Sequence, residues 1–215
     1  MRNPFDDAAL KYDEWYDSPE GSLIYREEFE CVLLVKGRAG RRWLEVGAGT
    51  GRFGSKLGVR WALDSSRPML KLASQRGMCP ITGNAEALPF TDGCLDGVLF
   101  VVALSFCRDS MAAIREGTRV LRRDGALVTA IVPRSSPWGQ HYVRKGEEGH
   151  PIYSCAHFLN VEDVVVQAAG AGLILKDAAS ALLRPPTGTH YVGHAVQRGA
   201  IPGAGFVALR FERPS

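Results

Sequence analysis

From Arg41 onward the chain alternates short apolar runs with amphipathic stretches. The apolar runs predict strands at 42–46, 60–64, 79–82, 95–102 and 126–132. Runs of this kind suit a parallel sheet covered on both faces. Between them the spacing predicts helices at about 51–57, 67–76 and 110–122. The second has Ser65 or Ser66 as a cap, Pro68 in its first turn and Gly77 as a stop. The third, capped by Asp109 or Ser110, carries Met111, Ile114, Thr118 and Leu121 at helical spacing, and Asp124-Gly125 turns it into the next strand.

The flanks read differently. Ala8–Tyr16 has helical character, and Ser22 caps a second helix reaching Lys36, with Tyr25, Phe29, Val32 and Leu33 on one face and Gly37 at its end. After Pro133 the alternation breaks, and residues 134–158 read as a loop or short helical insertion. A helix resumes at Asn160, with Asp163 completing a variant of the capping box, and ends at Gly170 or Gly172. Two more strands follow at about 173–183 and 205–212, for seven in all. Repeated strand–helix units give an α/β fold whose ligands sit beyond the C-terminal ends of the strands. The expected organisation is one domain over residues 1–215. It has an N-terminal helical lid (1–37), a cofactor-binding half (38–133), an insertion (134–158) and a substrate-side half (159–215).

Composition narrows the class. Hydrophobic residues make up 46% and charged residues 23%, as in ordinary globular proteins. No run approaches the roughly 18 apolar residues of a membrane span, and the polar, acidic N-terminus is unlike a signal peptide. The expectation is a cytoplasmic protein without a membrane partner. Five scattered cysteines without a CxxC pair argue against a disulfide framework and a cysteine-built zinc site. The net charge of +3 hides an asymmetry: residues 1–30 hold nine acidic and three basic side chains, and the remainder holds 23 basic and 14 acidic. Either an acidic flap folds over a basic body or the acidic face is solvated. No basic stripe with interleaved aromatics is present, which disfavours nucleic acid.

The chemistry concentrates at Glu45-Val-Gly47-Ala-Gly49-Thr-Gly51, where a strand runs into a glycine-rich turn opening a helix. Such a turn brings bare backbone against a ligand. Asp64, at the end of the next strand, suits hydrogen bonds to ribose hydroxyls. Gly83-Asn-Ala-Glu-Ala-Leu-Pro-Phe90 follows the third strand, and the fourth, starting at Leu95, runs into the same cleft. Gly49-Thr-Gly51-Arg-Phe-Gly54 also matches the dinucleotide fingerprint. A lone match is weak, an acidic residue precedes it, and little chain is left for a hydride-acceptor domain.

Leu44-Glu-Val-Gly-Ala-Gly-Thr-Gly51, Asp64-Ser-Ser-Arg-Pro-Met-Leu70, Gly83–Phe90 and Arg119-Val-Leu-Arg-Arg-Asp-Gly125 resemble, in order and spacing, the motifs of class I S-adenosylmethionine-dependent methyltransferases, closest to the small type-11-like branch. The resemblance implies a Rossmann-like methyltransferase fold, with a mostly parallel seven-stranded sheet flanked by helices. It implies S-adenosylmethionine as cofactor and S-adenosylhomocysteine as product. Gly47, Ala48, Gly49 and Gly51 would pack against methionine and ribose, and Glu45 would orient the turn or reach the ammonium through water. Asp64 would hold the ribose, Ser65 and Met69 would flank the adenine, and Asn84 with Ala85 would contact its edge. Val101 or Val102 would offer a carbonyl to the ammonium. Many relatives carry Asp where this chain has Asn84, whose oxygen still accepts from the adenine amino group.

Transfer from a sulfonium is an in-line displacement, so positioning can supply much of the rate, and a base is needed only if the acceptor must lose a proton. The motifs therefore identify the donor and leave the acceptor open. The expected partner is a small-molecule acceptor, the expected assembly a monomer or homodimer. Acceptor-side candidates are Tyr12, Trp15 and Tyr16 as an aromatic lid, Phe106 and Cys107 after the fourth strand, and Trp138, Tyr142, His141 and His157 in the insertion. His141 is the candidate base. His190 and His194 have the spacing of a helical metal pair, but nearby Pro185, Pro186 and Gly188 argue against a helix, so no metal is expected. Protein or RNA methylation, and non-catalytic binding of the cofactor, remain open as alternatives.

Overall fold

The computed structural model describes residues 3–37, 40–186 and 193–214. Eight strands form one sheet in the order β3-β2-β1-β4-β5-β8-β6-β7. They are β1 (Trp43–Val46), β2 (Trp61–Asp64), β3 (Cys79–Thr82), β4 (Leu95–Val101), β5 (Leu121–Ile131), β6 (Ile174–Ala181), β7 (Gln197–Arg198) and β8 (Phe206–Glu212). β3, β2, β1, β4 and β5 pair in parallel. β8 runs antiparallel to both β5 and β6, and β7 is antiparallel to β6. The sheet is thus mixed, with eight strands where seven are expected. The additional strand is the two-residue edge β7, which is exposed and too short to leave a hydrophobic period.

The sheet is covered on both faces, which is why its central strands are mostly apolar and buried. Side chains alternate along β1: Trp43 joins one core with Ile24, Cys31, Val32 and Phe53, while Leu44 and Val46 join the other with Phe100, Ile114 and Val164. The first core lies under α2 (Pro19–Lys36), α3 (Arg52–Lys56) and α4 (Arg67–Gln75), and the second under α5 (Ser110–Val120) and α7 (Val161–Gly170). Gly97 pairs with Trp43 across β4 and β1, and any Cβ there would lie 2.2 Å from the indole. The glycine lets the largest side chain of the strand lie flat on the sheet.

Several boundaries differ from expectation, each for a local reason. α1 spans Pro4–Trp15, starting earlier than expected because Asn3 caps it and Pro4 opens it. α2 starts at Pro19: Ser18, rather than Ser22, accepts from Gly21 N–H at 3.0 Å. α5 ends at Val120 and β5 begins at once. Leu121 pairs with Leu95 and Ala126 with Gly97, so Arg122–Gly125 bulge out of the ladder and Asp124-Gly125 do not separate helix from strand. The 134–158 segment is mostly ordered as α6 (Pro137–Glu147), capped by Ser136, and a 3₁₀ turn at Tyr153–Cys155.

Candidate active site

The C-terminal ends of β1 and β4 open into one cleft. Past Val46 the chain turns through Gly47, Gly49 and Gly51 at φ of 67°, 53° and 75°. Leu63 C=O accepts from Gly47 and Ala48 N–H at 2.8 and 3.0 Å, tying the turn to β2. The glycines serve different ends. A Cβ on Gly49 would meet no protein atom within 4 Å, so this backbone faces the open cleft. A Cβ on Gly51 would fall 2.8 Å from Met78 Sδ and 2.9 Å from Ala73 Cβ, and one on Gly47 would fall 2.5 Å from Ala103 Cβ. Those two also make room for neighbouring elements, and Gly47 lines the cleft beside Gly49.

Two carboxylates organise the turn. Asp64 Oδ2 accepts from Gly49 N–H and Oδ1 from Ser66 N–H, both at 2.8 Å. Burial raises its pKa against these bonds. Glu45, 2% exposed, accepts from Gly54 N–H at 3.1 Å and so orients α3. Burial pushes its pKa up to about 8. Val102, at the end of β4, holds φ of 58°, a strained conformation for a β-branched residue, and donates to Ala130 C=O at 2.7 Å.

α1 lies across this cleft. Asp13 bonds to Arg52 Nε of α3 at 2.7 Å and to Arg76, after α4, at 2.7 Å. Asp17 adds a second contact to Arg52 at 2.7 Å. Asn3 Nδ2 donates to Ser65 Oγ at 3.0 Å. Burial opposes ionisation of Asp13, but its bonds to Arg52 and Arg76 prevail and lower its pKa to about 2. Of the acidic N-terminal residues, Asp13 and Asp17 therefore reach the basic body. Tyr12 and Tyr16 hang from α1 into the cleft with hydroxyls 3.0 Å apart. With Glu45, Gly49, Val101 and Val102 they bound a cavity of about 40 Å³.

The acceptor-side candidates divide. Tyr142 of α6 packs on Tyr153 (ring centres 4.6 Å apart) and stacks on Phe158 (6.2 Å, 14°). Tyr142 also packs against the core cluster that contains Tyr16, which places this face of α6 in the same cluster. Phe106 meets Phe5 of α1 edge-on at 5.0 Å. Burial raises the Cys107 thiol to about 12, so it is protonated at neutral pH. Trp15 does not line the cavity: it is 40% exposed and leans on the outside of Tyr16. Trp138 does not reach it either. The indole is 3% exposed in the core, donates to Arg184 C=O at 2.7 Å and covers Gly205. His141 packs on Tyr142, but burial lowers its pKa and its charged neighbours are Lys145, Arg144, Glu148 and Glu20, outside the tyrosine cluster. His157 is exposed, and its N–H donates to Ser105 C=O at 2.6 Å. Met69 is fully buried; Ser65 and Asn84 are exposed, and Ala85 is half-buried between them and the core. His190 lies outside the described residues. No group of three or more His, Cys, Asp or Glu among the described residues is placed to hold a metal ion, and no helix there is long and apolar enough to cross a membrane.

Three further residues escape the motif reading. Asp6 Oδ1 is buried without a hydrogen-bond partner, and its charge acts on Asp64. Glu28 lies four residues from Ile24 and from Val32 on the buried stripe of α2, and that placement was its available signal. Tyr153 sits in an aperiodic turn and had none.

The site fits an adenosyl donor. Gly49 presents open backbone, Asp64 retains lone pairs for hydroxyl donors, and Asp6 Oδ1 needs a donor. Comparisons point the same way. The family model of a type-11 methyltransferase domain matches residues 44–129. An uncharacterized protein of Mycobacterium tuberculosis is 36% identical over 201 residues, spanning 94% of this chain and 70% of that one. A demethylmenaquinone methyltransferase of Renibacterium salmoninarum is 35% identical over 132 residues, 59% of this chain and 56% of its own. Among solved structures, an S-adenosylmethionine-dependent methyltransferase of Thermotoga maritima, described as a possible histamine N-methyltransferase, superposes with a TM-score of 0.89. It is 28% identical, with all of both chains covered.

Proposed function

The chain belongs to the class I S-adenosylmethionine-dependent methyltransferases, in the type-11 branch, and we propose that it methylates a small-molecule acceptor in the cavity under α1. The observation that carries this reading is the closure of the cleft. Tyr12 and Tyr16 roof the space next to Gly49 and Val102, and α1 is fastened there by Asp13. An enclosed aromatic chamber admits a metabolite more readily than a folded protein or an RNA duplex. Two relatives are named for small molecules, demethylmenaquinone and, for the Thermotoga protein, a possible histamine, while two others are named for malonyl-[acyl-carrier protein].

The bound donor supplies a methyl already activated on sulfonium sulfur. The chain's residues hold and enclose it. Asp64 would accept from the ribose hydroxyls while fixing Gly49, and Asp6 would close over the same edge from α1. The carbonyl of Val101 or Val102 would accept from the ammonium. Tyr12 and Tyr16 exclude water and line up the acceptor with the methyl, so that the rate comes chiefly from orientation. At about 40 Å³ the cavity is too small for the donor, so in this reading admission of the donor requires α1 to move. In this reading residues 1–37 act as the lid.

The test is transfer of label from S-adenosyl-[methyl-¹⁴C]methionine into a cell extract separated into metabolite, protein and RNA fractions. Label in the metabolite fraction is expected. Label confined to protein or RNA overturns the small-molecule reading, and no consumption of the donor favours a non-catalytic role.

A further inference from the structure

Behind the tyrosines lies a second buried acid. Glu28 is 8% exposed on the face of α2 that packs against the sheet. Its neighbour Glu27 is accounted for: it accepts from Leu182 N–H at 3.2 Å and from His194 N–H at 2.5 Å. Glu28 has no hydrogen-bond donor among the described residues. Nor does a cation offset it: burial and the negative Glu27 are the influences on its carboxyl, which they push up to about 8. Ile24, Tyr25, Cys31 and Val32, one turn to either side of Glu28 on α2, belong to the same core cluster as Tyr16, against which Tyr12, Tyr142 and Tyr153 pack, and all four phenols feel its charge.

A carboxyl in this position is costly unless something compensates it. Packing alone favours an apolar residue, as at Ile24 and Val32 on the same stripe. The surroundings suit a positive guest, because tyrosine rings offer negative faces and the carboxylate supplies the counter-charge. We propose that Glu28, with Tyr12, Tyr16, Tyr142 and Tyr153, recognises a cationic nitrogen on the acceptor, which makes the substrate class an amine or another small nitrogen cation. This rests on the small-molecule reading above and narrows it. Glu28 is a specificity residue: binding of the cation draws it into its ionised form, and a neutral analogue leaves it buried without a partner.

The test uses the full chain saturated with S-adenosylhomocysteine, titrated with phenethylamine and its neutral counterpart 2-phenylethanol, and with tetramethylammonium. Phenethylamine is expected to bind at least tenfold more tightly than the alcohol, and tetramethylammonium to compete with it. Glu28→Gln should bring the amine to the level of the alcohol while leaving the alcohol and S-adenosylhomocysteine unaffected. Tyr142→Phe should retain the preference and Tyr142→Leu should weaken it, which separates ring face from hydroxyl should the Glu28 variant misfold. Equal binding of amine and alcohol, no binding of either cation, or an undiminished preference in Glu28→Gln overturns the proposal. Failure of S-adenosylhomocysteine to bind would instead strike the donor site.

Discussion

Gly49 and Gly51 stand two residues apart in the same turn, at φ of 53° and 75°, yet they should respond oppositely to the same substitution. Alanine at either position adopts a left-handed conformation at a cost of about 1–2 kcal/mol. At Gly49 that is the whole cost to the free protein, because the added methyl meets nothing within 4 Å. Gly49→Ala should therefore fold, with its melting temperature lowered by roughly 2–8 °C. The methyl then stands where the donor's methionine and ribose approach, so affinity for S-adenosylhomocysteine should fall at least tenfold, about 1.4 kcal/mol or more. At Gly51 the methyl lies 2.8 Å from Met78 Sδ and 3.0 Å from Ala73 Cα, part of a helix backbone that cannot step aside. Overpacking adds about 1–3 kcal/mol to the strain. Gly51→Ala should lose more stability, while its folded fraction binds within a few-fold of wild type. Calorimetric unfolding and isothermal titration on both variants read out the two effects. Wild-type affinity in Gly49→Ala, or loss of binding without extra destabilisation in Gly51→Ala, would refute the assignment of Gly49 as the ligand-facing glycine.

Other outcomes follow from the charges. Asp13→Ala removes the contact shared by Arg52 and Arg76, so α1 should loosen and S-adenosylhomocysteine should dissociate several-fold faster by stopped flow; an unchanged rate would deny α1 its role as a lid. Glu28 has a folded-state pKa of about 8, above its unfolded value near 4.5, so its neutral form favours folding and stability falls as pH rises between those values. At about 1.4 kcal/mol per pH unit, Glu28→Gln should gain about 3 kcal/mol more relative to wild type at pH 7.5 than at pH 5, measured by denaturant unfolding, and equal effects at both would contradict the burial argument. Replacing His141 by alanine should leave turnover on the acceptor unchanged, since its charged neighbours lie outside the tyrosine cluster; a large drop would restore it as the base.

The donor half of the site was legible because its chemistry constrains the backbone. A turn that needs positive φ at Gly47, Gly49 and Gly51 writes glycine into the chain, and an acid at the end of β2 writes Asp64. The central strands were legible for a related reason, since a doubly covered sheet writes mostly apolar runs, while β3 and β6 are largely exposed toward the edges. The acceptor half left weaker traces. Trp138 and Tyr142 look alike as aromatics in an aperiodic segment, and the open space over Gly205 sends Trp138 into the core. Glu28 reads as a surface charge beside Glu27 until the α2 stripe is seen to face the sheet. Asp6 acquires meaning only when α1 is laid over Asp64, a tertiary contact without a local pattern. The two residues of β7 pair through their backbone and carry no side-chain signature.

The most direct test of the account is titration of the purified chain with S-adenosylhomocysteine, alongside Asp64→Ala. Micromolar binding at a single site, weakened at least tenfold in the folded variant, is the predicted result. Equal binding by both proteins, or none by a folded, ligand-free wild type, would contradict a donor site built on Asp64 and the glycine turn.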